Sequence, residues 1–334
     1  MALTEFDIIR QFFMSESFAA DHPHLVKGPG DDAAILSLPD DHDLLVSVDT
    51  LNESVHFLPD AEPSLLAARC LAVNVSDLAA MGASPLGFTL ALSLPQVSLS
   101  WLQAFSEGLA KAALDADCPL IGGDTTRGPL SITIQVHGMV PRGQALLRSG
   151  ASAGDAVYVT GTLGDAAAAL WWMQGDSRFS AKGLSSTEEQ HLLEAFYQPA
   201  NRIAVGKALR GIASAALDLS DGLASDLRHI LKASSVSGAR IDSGQLPVSE
   251  LLKQRVSRSD QIELAMGGGD DYELCVCIPP ARIREAEATL AALQVPFTRI
   301  GQLSNDPEMM VIASDGSTMN LKATGYHHFQ SHSS

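Results

Sequence analysis

The feature that most constrains this chain is the placement of its aspartates. Six groups sit beside glycine or at the end of an apolar run: Gly30-Asp31-Asp32, Ser47-Val48-Asp49-Thr50, Asn74-Val75-Ser76-Asp77, Gly122-Gly123-Asp124, Asp218-Leu219-Ser220-Asp221-Gly222 and Gly268-Gly269-Asp270-Asp271. Surface acids usually scatter over helix faces. Acids at strand ends, beside a glycine that lets the backbone come close, suit hard cations. A turn or cap role is the plain alternative for any single one of them. Several converging carboxylates without a cation repel one another and raise their own pKa values.

Apolar runs between these groups alternate strand and helix patterns. Residues 4–15 read as a first helix, with Thr4 and Asp7 at capping-box spacing. Segments 33–38 and 44–49 read as strands, 63–81 as a buried helix, 86–94 as a strand and 100–116 as an amphipathic helix. Segment 120–124 reads as a strand entering a glycine turn, and 131–140 alternates like a strand. Strands at 156–160, 215–219, 273–278 and 296–301, with helices at 164–173, 188–197, 202–213, 221–232 and 280–293, complete the pattern. The mixture predicts an α/β (α+β) protein. At 334 residues, two domains are expected. The Gly-, Ser- and Arg-rich stretch 141–155 sets the boundary, giving domains 1–145 and 146–334.

In 44–49, alternation puts Ser47 and Asp49 on one face and Val46 and Val48 on the other, so Ser47 and Asp49 can reach one ion together. Asp218 and Ser220 share a face if their strand continues. Alternatively, Ser220 caps the following helix.

The formal net charge is -17, which argues against a nucleic-acid partner, because a phosphate backbone selects clustered Lys and Arg. No apolar run approaches the length of a membrane-spanning helix, and the N-terminus lacks a signal-peptide pattern. The four cysteines, Cys70, Cys118, Cys275 and Cys277, form no metal-binding spacing and are expected as buried thiols, which fits a cytoplasmic protein.

A P-loop, the protein-kinase elements and a Gly-x-Ser-x-Gly elbow are all absent. Gly28-Pro29-Gly30-Asp31-Asp32-Ala33 fits a dinucleotide fingerprint only formally, because two aspartates would face the pyrophosphate. Candidate phosphate-facing cations are few: Lys27, Arg127 and Arg148, with His56 close in sequence to Asp49. The residues alone read as a Mg²⁺-dependent enzyme acting on a nucleotide or another polyphosphate. Metal-dependent phosphohydrolysis stays open beside it, as does a non-catalytic cation-binding protein.

Ordered motifs sharpen this reading. Gly28-Pro-Gly-Asp-Asp32, Val48-Asp49-Thr50, Ala72-Val-Asn-Val-Ser-Asp-Leu-Ala-Ala-Met-Gly82, Leu120-Ile-Gly-Gly-Asp-Thr-Thr-Arg-Gly128, Leu217-Asp-Leu-Ser-Asp-Gly222, Gly268-Gly-Asp-Asp-Tyr-Glu-Leu274 and Gly325-Tyr-His-His-Phe329 follow one another along the chain. Together they resemble the bacterial thiamine-monophosphate kinases, of the aminoimidazole ribonucleotide synthetase-like superfamily. The resemblance implies a two-domain synthetase-like fold. Its N-terminal domain would hold a mixed sheet, the metal and ATP site and the dimer contact, and its C-terminal domain would be α/β. It implies transfer of the ATP γ-phosphate onto thiamine monophosphate, several Mg²⁺ ions, and homodimers joined through the N-terminal sheets. It assigns metal binding to Asp32, Asp49, Asp77, Asp124, Asp218 and Asp221, with Ser47 and the backbone of Val48 as auxiliary ligands. Gly123, Asp124, Arg148 and Ser220 match ATP-contacting positions. His56, Asp270 and Tyr326 match substrate-contacting ones, Asp270 standing where relatives carry Glu. Asp49, Asp124, Arg148 and Asp218 would carry catalysis, with no general base, because the acceptor is an ionised phosphate oxygen. Another ATP-dependent synthetase of the superfamily is the alternative. Its selenophosphate branch is disfavoured, because the first cysteine, Cys70, lies inside an apolar helix.

Overall fold

The computed structural model describes residues 4–14, 18, 22–180 and 182–319. They form two compact units, Met1–Ala145 and Leu146–Ser334.

The first unit contains α1 (Glu5–Ile8), which runs into a π-helical turn at Ile9–Phe13. There follow β1 (Leu25–Lys27), β2 (Ile35–Leu36), β3 (His42–Asn52), α2 (Pro63–Ala80), β4 (Ser84–Leu94), α3 (Leu99–Asp115), β5 (Leu120–Arg127) and β6 (Ser131–Pro141). The Thr4–Asp7 capping box is present. Strands β3-β6-β4-β5 form one sheet, and β1 and β2 pair separately. β6 alternates strictly: Ile132, Ile134, Val136, Gly138 and Val140 are buried, and the residues between them are half-exposed. The buried side meets α2, whose Pro63 occupies the first turn and whose N-cap Glu62 accepts from the Leu65 N–H. Leu66, Cys70, Leu71 and Leu78 of α2 and Leu102, Phe105 and Leu109 of α3 complete that core.

Two expectations change here. Segment 33–38 is strand only at Ile35–Leu36. Gly122-Gly123 is not a turn: β5 continues through it to Arg127, paired in parallel with β4. Gly123 lies against the Leu90 carbonyl, where a Cβ would collide. Glycine there serves strand packing, which the local sequence cannot distinguish from a turn.

The second unit comprises β7 (Ala156–Thr160), α4 (Asp165–Gln174), α5 (Ser186–Tyr197), α6 (Ile203–Leu209), β8 (Ala215–Asp218), α7 (Leu223–Ser234), β9 (Gly238–Asp242), α8 (Glu250–Arg255), α9 (Arg258–Gly267), β10 (Leu274–Ile278), α10 (Ile283–Ala292), β11 (Phe297–Ser304), β12 (Met310–Ile312) and β13 (Thr318–Met319). Its sheet runs β13-β12-β9-β11-β7-β10-β8. The adjacent interior strands β7 and β10 are buried at every position. That burial explains the continuous apolar runs Ala156-Val-Tyr-Val and Leu274-Cys-Val-Cys-Ile. All four cysteines are free and buried. Among the described residues, no helix is long and apolar enough to cross a membrane.

Candidate active site

In the first unit, β3 turns Ser47 and Asp49 toward α2, while Leu44, Val46 and Val48 are 51%, 51% and 52% exposed on the opposite face. The Ser47 hydroxyl donates to the Asp77 carboxylate over 2.5 Å. The Asp49 N–H donates to Asn74 Oδ1 (3.0 Å), and Asn74 in turn donates from Nδ2 to the Cys70 carbonyl (2.9 Å). Asn74, buried on α2, thus fixes the height of β3 over the helix. Burial and then the neighbouring Asp77 carboxylate push the Asp49 carboxyl up to about 6. Carboxylate and hydroxyl oxygens crowded until they repel are a donor set that a hard divalent cation fits.

The glycine loop places Asp32 in an exposed bend between β1 and β2. Asp32, Gly123 and Asp124 line one cavity of about 660 Å³, walled by Phe6, Arg10 and Met14 of the N-terminal segment. Among the described residues, β3 and β5 are the two outer strands of their sheet, with β6 and β4 between them. Asp49 and Asp124 therefore start from backbones about 14 Å apart, three interstrand steps. His56 follows β3 in a short turn. Its Nδ1 accepts the Asn52 N–H (3.0 Å), so the neutral ring carries its proton on Nε2.

In the second unit, Asp218 ends β8 and is buried. Ser220 does not cap α7; Gly222 takes that place at φ +105, packed against the Gly267 backbone. The capping alternative for Ser220 is therefore excluded. Asp221 is half-buried, and its N–H donates to Asp226 Oδ2 (3.0 Å). Asp226 was not expected as a site residue. It is buried on α7, and burial, then Asp221 and Asp218, raise its carboxyl to about 7. Ligand atoms of Asp221, Asp226 and His229 lie within 4.8 Å of one another. The available signal was the three-residue spacing of Asp226 and His229, which puts both on one helix face.

The Asp270 loop docks on the same turn. Asp270 N–H donates to the Ser220 carbonyl (2.9 Å), Tyr272 N–H to Leu219 (2.8 Å) and Leu219 N–H to Glu273 (2.8 Å). Arg148 is exposed. The preceding Leu147 carbonyl accepts from Ala216 N–H (2.9 Å), and its own carbonyl accepts from Ser234 Oγ (3.1 Å), which ties its backbone beside β8 and α7. Tyr326 and the 325–329 motif lie outside the described residues.

The structure thus assembles Ser47, Asp49 and Asp77 in one group, Asp32, Gly123 and Asp124 along one cavity, and Asp218, Ser220, Asp221 and Asp270 on two bonded loops. Residues 30–140 match the N-terminal domain, and residues 152–314 the C-terminal domain, of the AIR synthase related proteins. The chain belongs to that family. Thiamine-monophosphate kinase of Salmonella typhimurium is 46% identical over 329 residues, 98% of this chain and 99% of the relative. The crystal structure of thiamine-monophosphate kinase from Stenotrophomonas maltophilia superposes with a TM-score of 0.84 at 41% identity, covering 96% of this chain and 99% of that one. A structure of AaThiL complexed with AMPPCP and TMP superposes with a TM-score of 0.75 at 29% identity, covering 98% and 99%. Within the AIR synthase related proteins, this chain is a member of the thiamine-monophosphate kinases.

Proposed function

We infer that this chain transfers the γ-phosphoryl group of ATP directly onto thiamine monophosphate, giving thiamine diphosphate and ADP. The observation that carries the reading is full-length similarity to thiamine-monophosphate kinases, 46% over 98% of the chain. Oxygen-rich acidic groups in both units support it. ATP as co-substrate and four free cysteines fit a cytoplasmic location.

Asp32, Ser47, the Val48 backbone, Asp49, Asp77, Asp124, Asp218 and Asp221 are the residues that would hold Mg²⁺. Bound magnesium supplies neutralisation of phosphate charge. The chain's own residues bind, orient and shield. Arg148 and the Gly123 and Ser220 positions contact the nucleotide, and His56, Asp270 and Tyr326 contact the thiamine phosphate. His56, with its proton on Nε2, offers a donor to an anionic oxygen. No residue abstracts a proton, since the accepting phosphate oxygen is already ionised.

The functional unit is read as a homodimer. β3 carries Asp49 and β5 carries Asp124, and among the described residues both are outer strands. Outer strands leave unpaired N–H and C=O groups. Pairing β3 of one protomer with β5 of a second closes both edges, covers the Leu44, Val46 and Val48 stripe, and brings Asp49 toward a partner's Asp124.

The deciding experiment incubates the protein with ATP, Mg²⁺ and thiamine monophosphate. Thiamine diphosphate and ADP should appear in equal amounts without free phosphate. Free phosphate in place of thiamine diphosphate would overturn the reading in favour of hydrolysis.

A further inference from the structure

Loop 268–273 is held in a conformation that its residues do not choose by themselves. Asp270 has φ +71 and Tyr272 φ +49. A bulky aromatic residue in the left-handed region is a genuine outlier, and such strain persists only where the surroundings over-determine it. Here they do so through the alternate residues. Asp271 takes the Gly164 N–H on both carboxylate oxygens, at 2.9 and 3.0 Å. Glu273 is buried and receives Arg202 through two bonds of 2.6 Å and Thr160 Oγ1 through one of 2.5 Å. The backbone bonds to Leu219 and Ser220 close the loop from the other side. Asp271 and Glu273 are thus clamped inward, while the half-buried Asp270 and Tyr272 stand together, the Tyr272 hydroxyl 3.4 Å from Asp270 Oδ1.

A carboxylate next to an aromatic ring is a receptor for a flat organic cation, because the ring face and the carboxylate both attract positive charge. Thiamine monophosphate contains such a group, the permanently charged thiazolium ring. We propose that Tyr272 is a substrate-binding residue whose phenol ring packs on the thiazolium beside the Asp270 carboxylate. Asp271 and Glu273 are positioning residues: they act only by holding that pair at the Ser220–Asp221 turn. This rests on the thiamine-monophosphate kinase reading and names the part of the substrate that the loop recognises.

The test compares wild type, Tyr272→Gly and Tyr272→Phe. Glycine takes φ +49 without strain, so that variant loses the ring and keeps the loop. Kinetics are measured with thiamine monophosphate and, in competition, with its neutral thiophene isostere, in which carbon replaces the thiazolium nitrogen. In Tyr272→Gly, KM for thiamine monophosphate should rise about 3- to 30-fold with KM for ATP unchanged, the range that a cation–π contact supports. The preference for the cationic over the neutral compound should fall by the same factor, and Tyr272→Phe should restore it. Unchanged KM and preference in Tyr272→Gly overturns the proposal, as does equal loss in the glycine and phenylalanine variants. Wild-type protein that makes no thiamine diphosphate overturns instead the reading on which the proposal rests.

Discussion

The backbone N–H of Asp270 donates to the carbonyl of Ser220 over 2.9 Å. That bond makes the loop carrying Asp270 and the turn carrying Ser220 one mechanical piece. Asp270 sits at φ +71, so its carboxylate and its backbone strain can be separated by substitution. Asp270→Gly and Asp270→Ala should raise the KM for thiamine monophosphate by a similar factor, about 10-fold for a lost charge-assisted contact. The alanine variant alone should be less stable than the glycine variant, by about 1 kcal/mol. Steady-state kinetics and urea denaturation read the two effects independently.

The Ser47 hydroxyl donates to the Asp77 carboxylate, so on the magnesium reading its loss removes an auxiliary oxygen and frees a neighbouring carboxylate. Ser47→Ala should raise the magnesium concentration needed for half-maximal activity about 10-fold with little change in turnover at saturating metal, while Asp49→Asn should lose at least about 100-fold at limiting metal. Titrating kcat/KM against magnesium concentration distinguishes the two. Intact turnover of Asp49→Asn at limiting metal would remove Asp49 from the metal site.

Asp49 also predicts a pH effect. Its folded-state carboxyl is raised to about 6 from an ordinary 3.8. The folded protein therefore holds a proton that the unfolded chain has released, and stability falls as pH rises between those values. Without divalent cations, Asp49→Asn should match wild type near pH 4 and melt higher above pH 6. Magnesium should reverse the order at pH 7.5 by binding the ionised wild-type cluster. Thermal melts in chelator and in magnesium check both signs.

The Asp226 carboxylate accepts the Asp221 N–H, which shapes the turn after β8. Asp226→Ala leaves that donor without its acceptor and should cost about 1–3 kcal/mol. Asp226→Asn keeps an acceptor and cannot ionise. Since Asp226 is raised to about 7, the asparagine variant should gain on wild type as pH rises through 7 in the absence of metal. Denaturation at pH 5.5 and 8.5 gives the comparison.

Local patterns made much of this molecule legible from the sequence. The alternation that puts Ser47 and Asp49 on one face is a two-residue period, and the Thr4–Asp7 cap spans one turn. Both are decided by neighbours in sequence. What the sequence did not show depends on distant partners. The strand role of Gly123 requires the Leu90 carbonyl, the demotion of Ser220 from cap to loop requires Gly222 against Gly267, and Asp226 joins the site only because α7 folds back on the turn after β8. β9 and β12 were not anticipated: both are short, and they pair with each other in parallel although three α-helices and the strands β10 and β11 lie between them in the sequence.

The dimer reading makes the strongest demand on the sheet. If Asp49 on β3 works with Asp124 on a partner's β5, each active site draws on two protomers. Asp49→Asn and Asp124→Asn homodimers are then each inactive. A heterodimer of the two places both substitutions in one site and leaves the other site intact. Random equal mixing makes half of the dimers heterodimers, so about a quarter of wild-type activity should return. The mixture must be denatured and refolded together, so that the subunits exchange. Adding Val46→Lys, which puts a charge in the exposed β3 stripe, should abolish both the recovery and the dimer, as read by light scattering. No recovery from a mixture that has demonstrably exchanged subunits would place Asp49 and Asp124 in sites built from single protomers.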